Sequence, residues 1–405
     1  MEEAKNKAKR TKKSNGEGHI YYDKDKKYWF AQLTRGYGPN GKQLYKYFGA
    51  KTKQEILRKR DEFKALQRKG VCIESSKMTV SSWLDYWYEN HVIDKVKTTT
   101  RVDYETSLRC HLKPNLGNIK LIELKGMHVQ QLYNQLQKTG RVDGKGGLSP
   151  KSIRNIHIVF HRALEQAITN DLIVKNPLRG VTLPKKESKP IVVLAQDEQK
   201  RLEGHCFEHP WGVAILLTLY SGMRLGEVLG LTWKDIDFEK NCISINKQVG
   251  RLKDFSPEAK QKTKLYLRNE TKTSSSNRTI ATTPEIMKEL TKHKDSQEKQ
   301  RRKWGAAYNN LNMAFCREDG NLVDPKTFRT FYLNTLKKAG VEHKTFHALR
   351  HTFATRAMEV NSHVKAVSSI LGHAGIQITL DTYSHVSQEL QQETMQKIVD
   401  NFFAC

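Results

Sequence analysis

Residues 346–355 read FHALRHTFAT, and the spacing of this segment predicts a helix with one polar face. His347, Arg350 and His351 share that face because they are three and four positions apart. A His-x-x-x-His pair also occurs in zinc proteases, but those have glutamate directly after the first histidine, where this chain has Ala348. A guanidinium beside two imidazoles instead suits an oxyanion such as phosphate.

A second segment, LYSGMRLGEVLGL at residues 219–231, places Arg224 and Glu227 among apolar side chains. On a helix, these two residues lie on the same face. A guanidinium in an apolar segment is costly unless it is paired or meets an anion. The sequence therefore indicates either a simple Arg–Glu surface pair or an arginine that binds phosphate.

Two further segments carry polar residues of chemical interest. In LGHAGIQITLDTYSH, residues 371–385, glycines flank His373, and this pattern predicts a tight turn after a helix. Tyr383 lies near the C-terminus, where a tyrosine is usually a packing residue, but here it follows the arginines and histidines. Lys272 lies in a turn-rich connection before a predicted strand, where its ammonium either donates a proton or is simply solvated.

Upstream of these segments, local patterns predict two smaller domains. Residues 1–70 contain three aromatic or β-branched runs separated by turn residues and then a helix, which predicts a three-stranded antiparallel sheet plus helix. These elements are predicted at 19–22, 28–34, 44–48 and 53–69. Residues 78–177 carry apolar residues at helical spacing and predict an all-α domain. One of its helices, 98–112, is predicted to stop at Pro114 and Gly117.

The remaining chain predicts a linker and a larger domain. Residues 178–189 contain one proline and four basic residues and predict an interdomain linker. Residues 190–405 predict a mixed α/β domain, mostly helical, with strands at 242–248 and 278–282 and an adjoining strand and turn at 260–273. The expected fold class is therefore a multidomain, mainly α protein with a small N-terminal β-sheet.

The composition indicates a polyanionic partner. The 405 residues include 70 Lys and Arg against 43 Asp and Glu, a formal net charge of +27, and residues 1–70 hold 20 basic and 8 acidic residues. Neutralising phosphates releases condensed counterions, which favours binding to nucleic acid. The six cysteines are scattered without a C-x-x-C pair, so neither disulfides nor zinc are expected. No apolar run is long enough to span a membrane, and a cytoplasmic protein is expected.

Taken in order, the motifs GMRLGE, TKT, HALR, LGH and TYSH resemble the catalytic set of the tyrosine recombinases, the phage-integrase superfamily. The resemblance covers nearly the whole chain and is strongest to the integrases of conjugative transposons. It implies that residues 1–70 are an arm-type DNA-binding domain, 78–177 a core-binding domain and 190–405 the catalytic domain. The six residues that it implies to be catalytic are Arg224, Lys272, His347, Arg350, His373 and Tyr383.

The same resemblance implies a site-specific recombinase of a mobile element that needs no metal or other cofactor. Tyr383 would attack a phosphodiester and give a 3′-phosphotyrosyl link with a free 5′-OH. Both arginines and His373 would stabilise the phosphorane, His347 would accept the tyrosine proton, and Lys272 would protonate the leaving oxygen.

The implied partners are double-stranded DNA, at crossover and arm sites, and further copies of the chain in a homotetramer that passes through a Holliday junction. Accessory excision proteins or host DNA-bending proteins are also implied, in a bacterial cytoplasm where the protein is DNA-associated. Two alternatives stay open. A type IB topoisomerase-like enzyme would use the same phosphotyrosyl chemistry, and a DNA-binding regulator would have a similar excess of basic residues. A metal-dependent nuclease is disfavoured because it needs clustered carboxylates.

The chain after Tyr383 has a pattern of its own. Apolar residues in 384–405 recur at the spacing of an amphipathic helix that ends in an aromatic pair. The resemblance implies that this tail packs on a neighbouring catalytic domain, while the pattern alone also allows it to pack on its own domain.

Overall fold

The structure is a computed structural model that describes residues 19–37, 42–68, 77–185, 190–253, 263–268, 277–360, 362–373 and 375–383. The chain divides into two compact units, Met1–Glu187 and Ser188–Cys405. Each unit buries apolar clusters of its own.

The first unit begins with a three-stranded antiparallel sheet in the order β1-β2-β3. Its strands are His19–Asp23, Tyr28–Tyr37 and Gln43–Ala50, and helix α1 follows at Lys53–Arg68. Side chains alternate between the two faces of the sheet, as the pleat requires. The predicted sheet-plus-helix is confirmed, with bounds close to those read from the sequence.

The two faces of this sheet differ in character. Ala31 and Ala50 are fully buried against Ile56 of α1, and larger apolar side chains pack around them. The opposite face is aromatic, and Tyr21 and Tyr47 are exposed on it at 41% and 62%. Helix α1 therefore covers one face of the sheet and leaves an aromatic face open.

The second part of this unit is helical. Its helices are α2 at Val80–Trp87, α3 at Thr98–Ser107, α4 at Lys113–Leu116, α5 at Gly126–Thr139 and α6 at Pro150–Thr169. Ser149 caps α6 by accepting the main-chain N–H of Ser152, and Pro150 occupies the first helical position. The apolar stripe of α6 and the indole of Trp83 lie in one buried cluster, so the predicted all-α domain is confirmed.

Pro114 does not end the helix that begins at Thr98, and that expectation was wrong. A π-helical turn at Leu108–Leu112 connects α3 to α4, and the helical path ends only at Leu116. Pro114 lies in the first turn of α4, where its missing N–H and fixed φ are tolerated. Gly117 then ends the helix, as predicted.

The start of the predicted linker is fixed to the helical part of the first unit. A short 3₁₀ helix spans Pro177–Gly180. The Gln130 side chain then accepts the main-chain N–H of Thr182 at 2.8 Å and donates to its carbonyl at 3.2 Å. Arg154 donates to the carbonyl of Pro184 at 2.9 Å. Residues up to Pro184 are therefore held by side chains of α5 and α6.

The second unit contains eight α-helices and five strands among its described residues. The helices are α7 Gln196–Cys206, α8 Gly212–Ser221, α9 Leu225–Leu229, α10 Pro284–Trp304, α11 Pro325–Lys338, α12 Phe346–Glu359, α13 Val364–Leu371 and α14 Ile376–Tyr383. The strands are β4 Ile236–Asp237, β5 Cys242–Ile245, β6 Gln248–Lys253, β7 Thr263–Arg268 and β8 Arg278–Ala281, which form sheets β4-β5-β8 and β6-β7. Helix α8 is apolar on nearly every side and lies in the core, as such a sequence requires. The predicted mostly helical α/β class is confirmed.

Some predictions fall on residues outside the described ranges. These are Lys272, most of the predicted turn around it, and the tail at 384–405. Within the described part of the chain, no helix is both long and apolar enough to cross a membrane. In the same residues, no group of three or more His, Cys, Asp and Glu side chains is arranged to hold a metal ion.

Candidate active site

Helix α12 carries the polar face predicted from FHALRHTFAT and packs against α8 and α13. Arg350 is only 2% exposed, and its Nη1 donates to the carbonyl of Gly222 at 2.8 Å. Gly222 ends α8 with φ of 64°, a left-handed conformation that favours glycine. A Cβ there would lie 2.6 Å from Leu371 and 2.7 Å from Phe353. The turn after α8 therefore fits closely between α12 and α13.

Arg224 does not lie on a helix, and the expectation that it would was wrong. It is the extended N-cap residue of α9, and Glu227 lies at the third helical position. The Glu227 carboxylate accepts the main-chain N–H of Arg224 at 3.0 Å and its guanidinium at 2.8 Å. This capping arrangement satisfies an N-terminal N–H and turns the guanidinium back over the helix start. Because the Glu227 side chain is only 5% exposed, the contact is not a simple surface pair.

A second arginine shares the Glu227 carboxylate. Arg278, the first residue of β8, donates to Glu227 at 2.9 Å through Nη2 and at 3.3 Å through Nη1. Its Nε donates to the carbonyl of Ile370 in α13 at 2.6 Å. Sequence reasoning missed Arg278, although a charged residue at the start of the predicted strand 278–282, beside buried Ile280, was a usable signal.

The charge state of Glu227 depends on these two arginines. Burial alone would raise the pKa of this carboxyl, because a low-polarity environment disfavours the charged form. The hydrogen bonds and charge of Arg278, with the charge of Arg224, outweigh burial and hold the pKa below its ordinary value. Glu227 is therefore an anion at neutral pH, and it fixes two guanidinium groups.

His373 follows the left-handed residue Gly372, which ends α13 with φ of 64°. Its Nδ1 lies 2.7 Å from the hydroxyl of Thr379 in α14, a fully buried side chain. That contact engages one of the two ring nitrogens. Partial burial and the nearby positive charges of Arg350, Arg224 and Arg278 lower the pKa of His373 to about 4.

His347 lies in the first turn of α12, exposed to solvent on one side. Its ring meets that of His351 edge-on, with centroids 4.7 Å apart. Surrounding protein atoms displace water from part of the ring, and the charges of His351, Arg350 and Arg224 add to this effect. Together they lower the pKa of His347 to about 4, so the imidazole is neutral at pH 7 and able to accept a proton.

The structure thus brings four of the six predicted residues to one place. They come from the N-cap of α9, from α12 and from the turn after α13, and they interact electrostatically: Arg224, His347, Arg350 and His373. Arg224 also donates to the carbonyl of Gly372 at 3.3 Å. Tyr383 is the last residue of α14, the helix that begins directly after this turn. Lys272 lies outside the described residues.

Two family models match the chain. The model described as the phage integrase family covers residues 182–389, just over half of the chain. The chain belongs to the phage integrase family. A model described as the N-terminal SAM-like domain of phage integrases matches residues 79–137 of this tyrosine recombinase, within its all-α domain.

Relatives agree with this assignment. A protein named tyrosine recombinase XerC-like, from Caldanaerobacter subterraneus subsp. tengcongensis, is 29% identical over 392 residues, covering 94% of this chain and 98% of that protein. The Tn1549 transposon integrase, solved with transposon right end DNA, is 24% identical with a TM-score of 0.64, covering 79% of this chain and 99% of that one. A lambda integrase, solved as a tetramer bound to a Holliday junction, is 16% identical with a TM-score of 0.54, covering 88% and 95%. These two structural likenesses show the shared fold.

The predicted family and enzyme class are therefore confirmed: the protein is a tyrosine-type recombinase, similar to transposon integrases.

Proposed function

We propose that this recombinase cuts and rejoins double-stranded DNA with Tyr383 as the nucleophile and residues 190–405 as the catalytic domain. The observation that carries the proposal is the convergence of Arg224, Arg350 and His373 beside the helix that ends at Tyr383. A cluster of two guanidinium groups and an imidazole is suited to a phosphate with its extra negative charge in the transition state.

In the cleavage step, the Tyr383 oxygen forms a bond to the scissile phosphorus as the bond to the 5′-oxygen breaks. The product is a 3′-phosphotyrosyl link and a free 5′-OH, and the 5′-OH of a partner strand reverses the step to rejoin DNA. Arg224, Arg350 and the Nε2 of His373 stabilise the phosphorane. The covalent link keeps the energy of the broken bond, so no external energy source is required.

Two protons move during this step. His347 accepts the proton of the tyrosine hydroxyl, whose ordinary pKa of about 10 makes it a poor nucleophile when protonated. Lys272 donates a proton to the leaving 5′-oxygen. Partial burial of the ring, together with the surrounding cations, lowers the pKa of His347, and the negative charge of a bound phosphate raises that pKa again.

DNA binding by the N-terminal sheet is the second element of the proposal, with residues 1–70 as an arm-type domain and 78–177 as a core-binding domain. The open face of the sheet carries stacked rings: His19 and Tyr21 are 5.5 Å apart, and Tyr21 and Phe30 are 5.7 Å apart. Strands can enter a DNA groove, where aromatic and apolar side chains contact thymine methyl groups and sugars. The basic excess of residues 1–70 provides the accompanying attraction to phosphates.

Assembly into a tetramer on two duplexes is the third element. Strand exchange requires two cut duplexes side by side, hence four active sites. The tetrameric form of the lambda relative supports this stoichiometry. A type IB topoisomerase-like enzyme would use the same chemistry on one duplex as a monomer.

Mapping the covalent adduct tests the proposed chemistry. The protein is incubated in EDTA with nicked duplexes that carry the end sequences of the mobile element that encodes it. The DNA-linked peptide is then identified by mass spectrometry. We expect the adduct on Tyr383, attached to a 3′-phosphate, and joining of two defined sites. Adducts on another residue would refute the assignment, and relaxation of plasmids without joining would favour the topoisomerase alternative.

A further inference from the structure

Arg278 completes a closed network of hydrogen bonds at the candidate active site. Glu227 binds both Arg224 and Arg278. Each arginine then reaches the C-terminal end of α13, Arg224 through the carbonyl of Gly372 and Arg278 through that of Ile370. This hydrogen-bond network therefore joins α9, β8 and α13. Its contacts connect residues that are 51 to 148 positions apart in the chain.

The environment of Arg278 fits a structural connector and not a substrate contact. Its side chain is only 7% exposed, and its donors point at Glu227 and at α13. A Cβ on Gly372 would lie 3.0 Å from Nη1 of Arg278, so the guanidinium lies directly against the backbone of the turn. The C-terminal carbonyls of a helix carry partial negative charge and attract such cations.

We propose that Arg278 is a positioning residue that sets the distance between Arg224 and His373, the two sides of the phosphate site. This inference rests on the proposed phosphotyrosyl chemistry. Arg278 holds the Arg224 side through Glu227, and it holds the His373 side through Ile370 and Gly372. Only a planar, forked cation can make these bonds at once, because an ammonium lacks the geometry to bind a carboxylate and a distant carbonyl together.

Replacing Arg278→Gln tests the connection. Misplacing catalytic groups by about 1 Å can cost about 100-fold in rate, so we expect a loss of that order in the rate of covalent adduct formation. Affinity for the crossover site should stay within about twofold, because Arg278 does not contact DNA in this scheme. A loss in affinity with an unchanged cleavage rate would overturn the proposal.

Arg278→Lys separates charge from geometry. The lysine retains a cation beside Glu227, so folding should be preserved, but it loses the simultaneous bond to Ile370. We expect about a tenfold slower cleavage for this variant. Full activity with lysine would show that charge alone is sufficient and would overturn the positioning role. This variant also keeps the test decisive if Arg278→Gln fails to fold.

Lys247→Gln is the matched control for the loss of a buried ion pair. Lys247 contacts Asp235 at 2.7 Å, with side-chain exposures of 23% and 7%, in the same unit. Its removal should destabilise folding as Arg278→Gln does, while the rate of adduct formation in the folded protein stays near that of the parent. Equal loss of cleavage in both variants would mean that Arg278 acts only through stability.

The ring of His373 provides a spectroscopic readout. Arg278 is among the cations that lower the pKa of His373. An NMR titration should therefore show that this pKa rises in Arg278→Gln and stays low in Arg278→Lys. An unchanged pKa in the glutamine variant would show that Arg278 and His373 are not coupled.

A substrate with sulfur in place of the 5′-bridging oxygen identifies which part of the reaction is impaired. A sulfur leaving group does not need a proton. This substrate therefore restores the cleavage rate of variants that fail only to protonate the leaving group. Arg278→Gln should remain slow on this substrate, and full restoration would assign Arg278 to proton donation instead. Tyr383→Phe must form no adduct in parallel. An adduct in that control would contradict the proposed function, independently of how the Arg278 variants behave.

Discussion

The guanidinium of Arg350 donates to the main-chain carbonyl of Gly222, 2.8 Å away, although the two residues are 128 positions apart. This bond places a catalytic candidate of α12 on the turn that ends α8 and precedes Arg224. The orientation of Arg350 therefore depends on the backbone conformation of Gly222.

Gly222→Ala should destabilise the protein and slow DNA cleavage. Alanine in the left-handed region costs about 1–3 kcal/mol, and its Cβ would also collide with Leu371 and Phe353. Movement of the Gly222 carbonyl would release Arg350 from its orientation. Urea unfolding and the rate of adduct formation measure the two effects. The control is Gly204→Ala in α7, where a Cβ meets nothing within 4 Å and where alanine favours a helix. A similar loss of stability and cleavage rate in this control would contradict the explanation.

Tyr383→Phe should abolish the covalent adduct and leave binding to the crossover site intact. The change removes one oxygen, and without it no bond to phosphorus can form. Adducts are counted on denaturing gels with nicked substrates, and binding is measured by gel shift. Tyr220→Phe is the comparison: this exposed tyrosine of the same unit donates to Glu203 at 2.8 Å, and its loss should leave adduct formation near normal.

Glu227→Gln should reduce stability in a pH-dependent manner. The folded-state pKa of Glu227 lies below the ordinary value of 4.5, so its charge stabilises the fold above that pH. The stabilisation is lost as the pH falls through the folded-state pKa, when the carboxyl takes up a proton. We expect a deficit of about 3 kcal/mol at pH 7, typical of breaking a buried pair, that shrinks below pH 4.5. A deficit of equal size at both pH values would show that Glu227 acts by packing.

His373 and His347 should make the fold less stable in mild acid. Both have a folded-state pKa of about 4 against an ordinary 6.5. Between those values the unfolded chain binds protons that the folded chain does not, so stability falls as the pH drops from 6.5 towards 4. Replacing both histidines with asparagine should flatten this part of the pH profile in urea unfolding. An unchanged slope of stability against pH in the double variant would mean that other groups cause the loss of stability in acid.

The open aromatic face of the N-terminal sheet should contribute to DNA binding outside the crossover site. Replacing Tyr21 and Tyr47 with serine in the full-length protein should weaken binding to arm-type sites by about tenfold. Binding to an isolated crossover duplex serves as the internal comparison and should not change. Fluorescence anisotropy with both duplexes provides the measurement. Equal weakening of binding to the arm-type and crossover duplexes would indicate that the sheet does not bind a separate site.

Local sequence alone was sufficient for most of the secondary structure. Turn residues separate the aromatic runs of the N-terminal sheet, and Ser149 and Pro150 mark the start of α6, because strand alternation, capping and proline geometry act over a few residues. The order of the arginine, histidine and tyrosine motifs was also sufficient to recognise the family. Pro114 is one exception, since the π-helical turn before it could not be read from its neighbours.

Only the tertiary structure determined how the site is assembled. Helical spacing would put Arg224 and Glu227 on one helix face, whereas Arg224 is an N-cap residue whose partner, Glu227, is buried and also binds Arg278. Contacts such as Arg224 with Gly372 join residues 148 positions apart. Local periodicity cannot specify such pairs, because burial of a charge depends on which distant groups neutralise it once the chain has folded.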